Sequence, residues 1–211
     1  MIFTPPDVDG ISAPLIATAL LALLAACAPA IRPTPTAQAP QAEFWSRLQA
    51  LCGQAYAGRV VADTPAATGA DPFRDQPLRM HVRECSPGTV RIPFHVGDDR
   101  SRTWVLTRTP GGIRLKHDHR HADGQPDALT QYGGDTLEAG SAGRQAFPAD
   151  AASKAMFTAQ GRSVSNPNVW ALEIEPGRVF VYELSRPGRL FRVEFDLAQP
   201  VPAPPAPWGA R

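Results

Sequence analysis

The sequence predicts a mainly β domain of antiparallel strands preceded by one helix. Three observations carry this prediction. Apolar and polar residues alternate with a period of two in short runs between residues 78 and 197. Turn-forming pairs such as Pro87-Gly88, Gly111-Gly112 and Pro187-Gly188 separate these runs. A single stretch, 43–57, repeats its apolar residues at helical spacing instead.

The helical stretch 43–57 is predicted as the only long helix of the domain. Gly58 follows it, where a C-terminal cap belongs. Its stripe is more typical of a core-facing surface than of a ligand site, so the helix is expected to lie against the β structure. The stripe consists of Phe44, Leu48, Leu51 and Ala55, flanked by Trp45 and Cys52.

The alternating runs each present one apolar face, which predicts short strands joined by tight turns in an antiparallel meander. Strands with one apolar face must pack as a sandwich or close into a barrel, and closure removes exposed edges. The apolar positions are Leu78, Met80 and Val82; Val90, Ile92, Phe94 and Val96; Trp104 and Leu106; Ile113 and Leu115; Trp170, Leu172 and Ile174; Phe180, Tyr182 and Leu184; and Phe191, Val193, Phe195 and Leu197.

Two segments of the domain lack this alternation. Residues 122–167 are rich in Gly, Ala and Asp, and a stretch of this kind is often functional or mobile. Within it, Asp150 is expected to cap a short helix over 151–159. The last segment, 199–211, contains five prolines and is predicted to be disordered or polyproline-like. A single β domain is therefore predicted over 43–198.

The N-terminal segment carries an uncharged, mostly apolar run from Ile11 to Ala26, too short for a permanent bilayer-spanning helix. It ends in Leu24-Ala25-Ala26-Cys27, which resembles the lipobox of a bacterial lipoprotein. The resemblance implies that residues 1–26 are a signal peptide and that Cys27 is lipidated. A signal peptide usually begins with basic residues, whereas this one carries Asp7 and Asp9. A non-lipidated signal peptide and a buried apolar helix remain the alternatives.

The lipobox resemblance also implies a location. It places the protein in the cell envelope, held to the membrane by its lipid, and Ala28 resembles sorting to the outer membrane, facing the periplasm. Residues 27–42, rich in Pro and Ala, then form an extended tether of about 45 Å. The whole chain has a formal charge of +1, and loss of residues 1–26 changes it to +3. This near-neutral balance gives no indication of nucleic-acid binding.

The chain has three cysteines, an odd number that needs explanation in a secreted protein. Lipidation of Cys27 would leave Cys52 and Cys85, which an oxidising periplasm would allow to pair. Such a bridge would close a loop of about 33 residues and stabilise the domain by roughly 3–4 kcal/mol. The alternative is two buried free thiols.

A helix followed by a β-meander is similar in architecture to the lipocalin-like barrels. The similarity covers most of the domain, but Gly58-Arg59-Val60 stands where lipocalins have Gly-x-Trp after the helix. The resemblance implies a barrel with an interior that binds a small apolar ligand, by analogy alone.

The chemistry-bearing residues concentrate at His117-Asp118-His119-Arg120-His121. A period of two puts the three histidines on the apolar face of their strand, and Asp118 and Arg120 on the other face. His81 and His95 fall on polar faces and are expected to be solvated.

Three interpretations of the histidine strand remain open. A His-x-His pair, His117 and His119, can hold Zn or Cu if a neighbour such as Asp123 or Asp135 supplies a third ligand. The histidines can instead form a hydrogen-bond network that holds the Tyr132-Gly133-Gly134-Asp135 segment, with Asp118 and Arg120 pairing to outer neighbours. They can also form the polar floor of a ligand pocket.

The known catalytic patterns are missing from the sequence. It contains no Gly-x-Ser-x-Gly elbow, phosphate loop, dinucleotide fingerprint or His-Glu-x-x-His motif. The sequence therefore favours a non-enzymatic envelope lipoprotein that binds a small ligand or an envelope protein, with no cofactor. The alternative is a metal-binding protein or metal-dependent enzyme that uses His117 and His119.

Overall fold

The computed structural model describes residues 1–2, 39–66 and 68–210. The described residues from 39 onwards belong to one compact unit, Pro35–Arg211. The signal peptide predicted for 1–26 lies, apart from its first two residues, outside the described residues, as do Cys27 and most of the predicted tether. In the part of the chain that is described, no helix is both long and apolar enough to cross a membrane.

Within the described residues, eleven antiparallel strands form one sheet, and three helices accompany it. The sheet order is β7-β6-β5-β4-β2-β1-β11-β10-β9-β8, with β3 paired to β4. The strands are β1 (Ala55–Thr64), β2 (Leu78–His81), β3 (Glu84–Cys85), β4 (Thr89–Val96), β5 (Asp99–Thr109), β6 (Gly112–His119), β7 (Tyr132–Asp135), β8 (Arg144–Pro148), β9 (Val169–Glu175), β10 (Val179–Arg186) and β11 (Arg189–Val201). The helices are α1 (Ala39–Ala50), α2 (Pro72–Asp75) and α3 (Ala151–Ala159), with a 3-10 turn at Ser163–Ser165.

The sheet is nearly closed into a barrel, since its two outer strands, β7 and β8, lie side by side. They do not form a regular ladder of backbone hydrogen bonds, and a few contacts join them instead. The amide of Asp150 donates to the carbonyl of Gly133 (2.9 Å). The Ser153 hydroxyl accepts from the Gly133 amide (2.8 Å) and donates to its carbonyl (2.9 Å). A side chain at Gly134 would collide with the Pro148 carbonyl, at 1.8 Å from an added Cβ. Gly134 thus allows the close approach at this seam, whereas Gly133 allows β7 to approach β6, where an added Cβ would lie 2.0 Å from the Leu115 carbonyl oxygen.

The predicted fold class is confirmed: the domain is mainly β, antiparallel and barrel-like. The apolar faces named from the sequence supply the buried core inside the sheet. The short helix predicted in the irregular region is also confirmed as α3. The Asp150 side chain accepts from the Ser153 amide (2.8 Å), which is N-cap geometry.

Helix α1 lies across one end of the barrel. It buries Phe44, Trp45 and Leu48, and its Gln41 amide donates to Thr136 Oγ1 beyond the end of β7 (2.9 Å). Past the other end of the helix, Cys52 forms a disulfide with Cys85 in β3. The predicted pairing is therefore present, and it fixes the exit of α1 to the sheet.

The helix prediction over 43–57 is wrong at its end. The helix stops at Ala50, and Ala55, expected on the helical stripe, begins strand β1. Gly58 is not a helix cap. It pairs with Phe195 in β11, and a Cβ there would lie 2.5 Å from the Phe195 ring. Glycine is needed at position 58 because the Phe195 ring occupies the space that any larger side chain would take.

The C-terminal segment 199–211, predicted to be disordered or polyproline-like, begins as a strand and then contacts the sheet. Strand β11 continues to Val201, and residues 202–210, which we call the strap, run along the outer face of the barrel. The Trp208 amide donates to the Arg100 carbonyl (3.1 Å), and Arg100 Nη1 donates to the Ala206 carbonyl (3.2 Å). Prolines lack amide donors, but the Ala206 carbonyl and the Trp208 amide still find partners on β5.

The prediction that His95 is solvated is wrong. His95 lies on the outer face of β4 but is only 3% exposed, and it lines a cleft between the sheet and Pro204-Pro205 of the strap. His81, predicted to be solvated as well, is half-buried.

Candidate functional site: an aromatic cavity beside the histidine strand

Strand β6 points His117 and His119 into the barrel, as the alternation predicts, and points Asp118 outward. His117 is buried. Both inward histidines line an internal cavity, whereas Asp118 lines a separate crevice under the strap. His121 follows the strand, and its side chain is 59% exposed, 3.7 Å from Asp127. The structure therefore brings two of the three histidines together and leaves the third on the surface.

Both ring nitrogens of His117 are engaged within the protein. Nδ1 lies 3.1 Å from the Tyr132 carbonyl, and Nε2 lies 2.9 Å from the Tyr182 hydroxyl. A carbonyl can only accept, so Nδ1 carries the proton and Nε2 accepts from Tyr182. Burial, followed by the proximity of His119, lowers the pKa of His117 to about 3. The ring is therefore neutral and holds strand β7 to β6 and β10.

His119 completes this network one step nearer the mouth of the cavity. Its Nε2 lies 3.1 Å from the Tyr132 hydroxyl. Burial is the main cause of its lowered pKa, followed by the Arg102 guanidinium. The Tyr132 ring stacks on His117 with centroids 4.5 Å apart, and burial raises the pKa of the Tyr132 phenol to about 12. These rings remain uncharged near neutral pH and form a polar floor within an aromatic wall.

The outward residues of the same strand pair with each other and with a neighbour. Asp118 accepts from Arg91 (3.0 Å) and from Arg120 (3.1 Å). The Asp118 side chain is 5% exposed, and Pro207 and Trp208 of the strap line the same crevice. Asp118 and Arg120 therefore belong to the attachment of the strap and not to the cavity.

The cavity has a volume of about 710 Å³ and lies at the end of the barrel opposite α1. Aromatic rings form a large part of its wall, beside charged and polar side chains. Trp104 of β5 stacks on Tyr182 of β10 with centroids 4.5 Å apart, and on Phe94 at 4.9 Å. The aromatic side chains that line it are Phe73, Phe94, Trp104, Tyr132, Phe157, Trp170, Tyr182 and Phe191.

Charged groups occur where the cavity meets solvent. Asp63 is buried at the end of β1 and pairs with Arg189. Arg102 pairs with Asp99 (2.5 Å) and lies over the Phe73 ring, 5.3 Å from its centroid. Arg162 also lines the cavity, and no carboxylate of a described residue lies within salt-bridge distance of it. A ligand in the cavity would thus meet aromatic faces along its length and guanidinium groups at the mouth.

Neither Asp135 nor Asp123, the candidate third ligands of a metal site at His117 and His119, points to these histidines. Asp135 pairs with Arg114 on the outer surface (2.7 Å), and Asp123 accepts from the amide of its own turn at Gln125 (2.9 Å). Across residues 39–66 and 68–210, no group of three His, Cys, Asp or Glu side chains could hold a metal ion. A site at His117 and His119 for Zn or Cu stays a prediction. Elemental analysis of untagged protein, with the His117→Ala, His119→Ala double variant as control, tests it.

Sequence reasoning missed most of the cavity. Alternation placed Trp104, Tyr182 and Trp170 on inward faces, but periodicity cannot tell a core residue from one that lines a void. Phe73 had no signal beyond the helix start Asp71-Pro72, where the Asp71 side chain accepts from the Phe73 amide (2.9 Å). Tyr132 stood in the segment that the network interpretation named.

Comparisons of this chain with protein-family models, with curated proteins and with solved structures each find no match. The fold and the site therefore define the protein only as a β-barrel with an aromatic cavity. The resemblance to lipocalin-like barrels stays a prediction from the sequence.

Proposed function

We propose that this protein is a lipid-anchored protein of the cell envelope that binds a small, flat, largely apolar ligand in its barrel, without catalysing a reaction. The observation that carries the proposal is the aromatic cavity of about 710 Å³. Ligand pockets typically have volumes of roughly 300–1,000 Å³, with apolar walls and a few placed polar groups. The cavity combines aromatic walls with polar groups, which include His119, Tyr132 and Arg102 together with the charged residues at its mouth.

The anchoring part of the proposal rests on Leu24-Ala25-Ala26-Cys27, and the disulfide supports it. A bridge between Cys52 and Cys85 suits an oxidising compartment outside the cytoplasm. Mass spectrometry of the N-terminal peptide tests the anchor. A diacylated peptide that begins at Cys27 is expected, and an intact Met1 would overturn the proposed location.

The non-enzymatic part rests on the state of the buried groups. Both nitrogens of His117 have protein partners, so this ring has no free position with which to take or give a proton to a ligand. The network interpretation of the histidines and the pocket interpretation are both compatible with one site. The network holds the floor, and the aromatic rings above it contact the ligand.

The cavity is tested with N-phenyl-1-naphthylamine, a neutral aromatic probe whose fluorescence rises in apolar surroundings. One saturable site is expected. Leu184 lines the cavity and is half-buried, so Leu184→Trp should fill space and weaken binding at least tenfold. Leu137 is 75% exposed and outside the cavity, which makes Leu137→Trp the matched control, with unchanged binding.

Two results would overturn the proposal. One is the lack of saturable probe binding in a folded protein, and the other is equal binding by the Leu184→Trp variant. The alternative is that the protein binds another envelope protein at its surface. It predicts that an envelope extract protects surface residues from labelling while probe binding in the cavity is unaffected.

A further inference from the structure

We propose that the barrel carries a second binding site, for a small oxyanion of the phosphate or carboxylate type, in the cleft between the outer face of β2 and β4 and the strap. This outer cleft has a volume of about 500 Å³. It is separated from the aromatic cavity by the sheet itself. The residues that matter for its chemistry are Gln76, Arg79, His95, Asp98 and Arg100, which face Pro204-Pro205 of the strap.

Two arginines of the outer cleft lack a carboxylate partner. Within the described ranges, neither Arg79 nor Arg100 has an acidic group within salt-bridge distance, although other arginines on the outer face of the barrel do. Arg100 Nη1 donates to the Ala206 carbonyl (3.2 Å), which leaves its other donors available. Guanidinium groups without a partner at a cleft are the donors that bind oxyanions in a bidentate manner.

The buried side chain between these arginines is His95. It pairs across the ladder with Arg79, and its Nε2 is buried without a hydrogen-bond partner in the described part of the chain. An unpaired buried polar group costs roughly 1–3 kcal/mol. An oxyanion that accepts from His95 would remove this cost and offset the adjacent positive charges.

The electrostatic surroundings of His95 agree with this assignment. Burial first, and then Arg100, His81 and Arg79, lower the pKa of His95 to about 4. The imidazole is therefore neutral near pH 7 in a positive field, and it can donate from one nitrogen only. An anion in the cleft would counter the field and raise this pKa.

The acidic residues nearby do not fill the role of the anion. Asp98 is exposed at the tip of the β4–β5 turn. Asp99 accepts from Arg102 (2.5 Å) and from the Ser101 amide (2.9 Å). Gln76 adds a side-chain amide that can donate. The outer cleft is thus a donor-rich site that a negatively charged oxygen group complements.

The test is titration of the full chain with inorganic phosphate at pH 7, followed by calorimetry, with sodium chloride of equal ionic strength as the reference. Saturable binding is expected. The Arg79→Gln, Arg100→Gln double variant should bind at least tenfold more weakly. The control is Arg59→Gln, Arg178→Gln, which removes the same charge from exposed positions elsewhere on the outer face, and it should bind as the unmodified chain does.

Two further measurements keep the proposal falsifiable. Arg100 also donates a hydrogen bond to the strap. The single variant Arg79→Gln, at an exposed position, therefore tests anion binding without removing the hydrogen bond between Arg100 and the Ala206 carbonyl. In NMR titrations, phosphate should raise the pKa of His95 and leave that of His117 unchanged. No saturable phosphate or vesicle binding, or binding that the Arg79 variants do not weaken, would overturn the site.

The phosphate group can be free or part of a lipid headgroup, and vesicles distinguish the two sources. Binding of inorganic phosphate alone assigns the site to a free anion. Binding to phosphatidylglycerol vesicles but not to phosphatidylcholine vesicles, lost in Arg79→Gln, assigns it to an anionic headgroup. Failure of either arm leaves the aromatic cavity unaffected, because N-phenyl-1-naphthylamine binding is measured separately.

Discussion

At one end of the barrel, α1 lies across the strands and fills the interior with Phe44 and Leu48, whereas at the other end the same strands surround an aromatic cavity. The filled end is apolar and is fixed by the Cys52–Cys85 disulfide. The open end is held by hydrogen bonds among His117, Tyr132 and Tyr182.

The difference shows two ways to order inward-facing side chains. Aliphatic and phenyl groups at the filled end need only close packing, since they have no polar atoms to satisfy. The rings at the open end face a void and lack contacts on that side, so directed hydrogen bonds fix their orientation. We therefore expect the filled end to contribute most of the stability, and the hydrogen bonds of the open end to give the cavity a defined shape.

The largest expected effect is a difference between the two ends in how much a Phe→Ala substitution lowers the free energy of unfolding. Phe44 is fully buried under α1, so Phe44→Ala should lower the free energy of unfolding by about 3–5 kcal/mol. Phe73 is half-buried at the cavity, and Phe73→Ala should cost less than about 2 kcal/mol. Urea denaturation measures both. Equal losses would show that the open end contributes to stability as much as the filled end.

The second prediction removes the covalent link at the filled end. The disulfide closes a loop with a sequence separation of 33, so Cys52→Ala, Cys85→Ala should lower the free energy of unfolding by about 3–4 kcal/mol. N-phenyl-1-naphthylamine binding at 15 °C should remain unchanged, because the cavity lies at the opposite end. A loss of probe affinity in a folded double variant would show that the two ends are coupled.

The parts of this arrangement that could be predicted from the sequence follow local rules. The alternation of Phe180 and Tyr182, or of Phe191 and Val193, identified the strands and their inward faces, because a period of two depends on neighbouring residues alone. Asp150 identified the start of α3 for the same reason. The inward position of His117 and His119 also came from alternation.

The parts that could not be predicted depend on contacts between distant segments. Ala55 continued the helical stripe in sequence, and only pairing with Val201 and His81 makes it part of a strand. The attachment of the strap does not follow from its sequence, because a proline-rich composition does not reveal that β5 offers partners for it. His95 was placed in solvent for the same reason. The near closure of the sheet between β7 and β8 depends on the hydrogen bonds between Gly133 and Ser153, which are distant in the sequence.

The third prediction concerns the hydrogen bonds of the open end. Tyr182→Phe removes the donor to His117 Nε2 and leaves a buried acceptor unpaired, which should cost about 1–3 kcal/mol of unfolding free energy. Tyr56→Phe is the matched control, because the Tyr56 hydroxyl has no hydrogen bond to any described residue, and it should cost less than about 0.5 kcal/mol. Thermal and urea unfolding check both. If Tyr182→Phe leaves the free energy of unfolding unchanged, packing alone orients the ring of His117.

The last expected effect is a gradual one, the pH dependence of stability that the buried imidazoles produce. The pKa of His117 is about 3 in the folded protein and about 6.5 in an unfolded chain, so the unfolded state takes up a proton that the folded state excludes. The free energy of unfolding should be highest above pH 6.5 and should fall as the pH decreases towards 3, by up to about 1.4 kcal/mol per pH unit for each such histidine. Urea denaturation between pH 7 and 5 avoids most carboxylate titration and isolates this contribution. His117→Gln should reduce the slope, because it removes the buried imidazole whose pKa is lowered to about 3. A slope that His117→Gln leaves intact would assign the pH dependence to other buried groups, with His95 under the strap as the next residue to substitute.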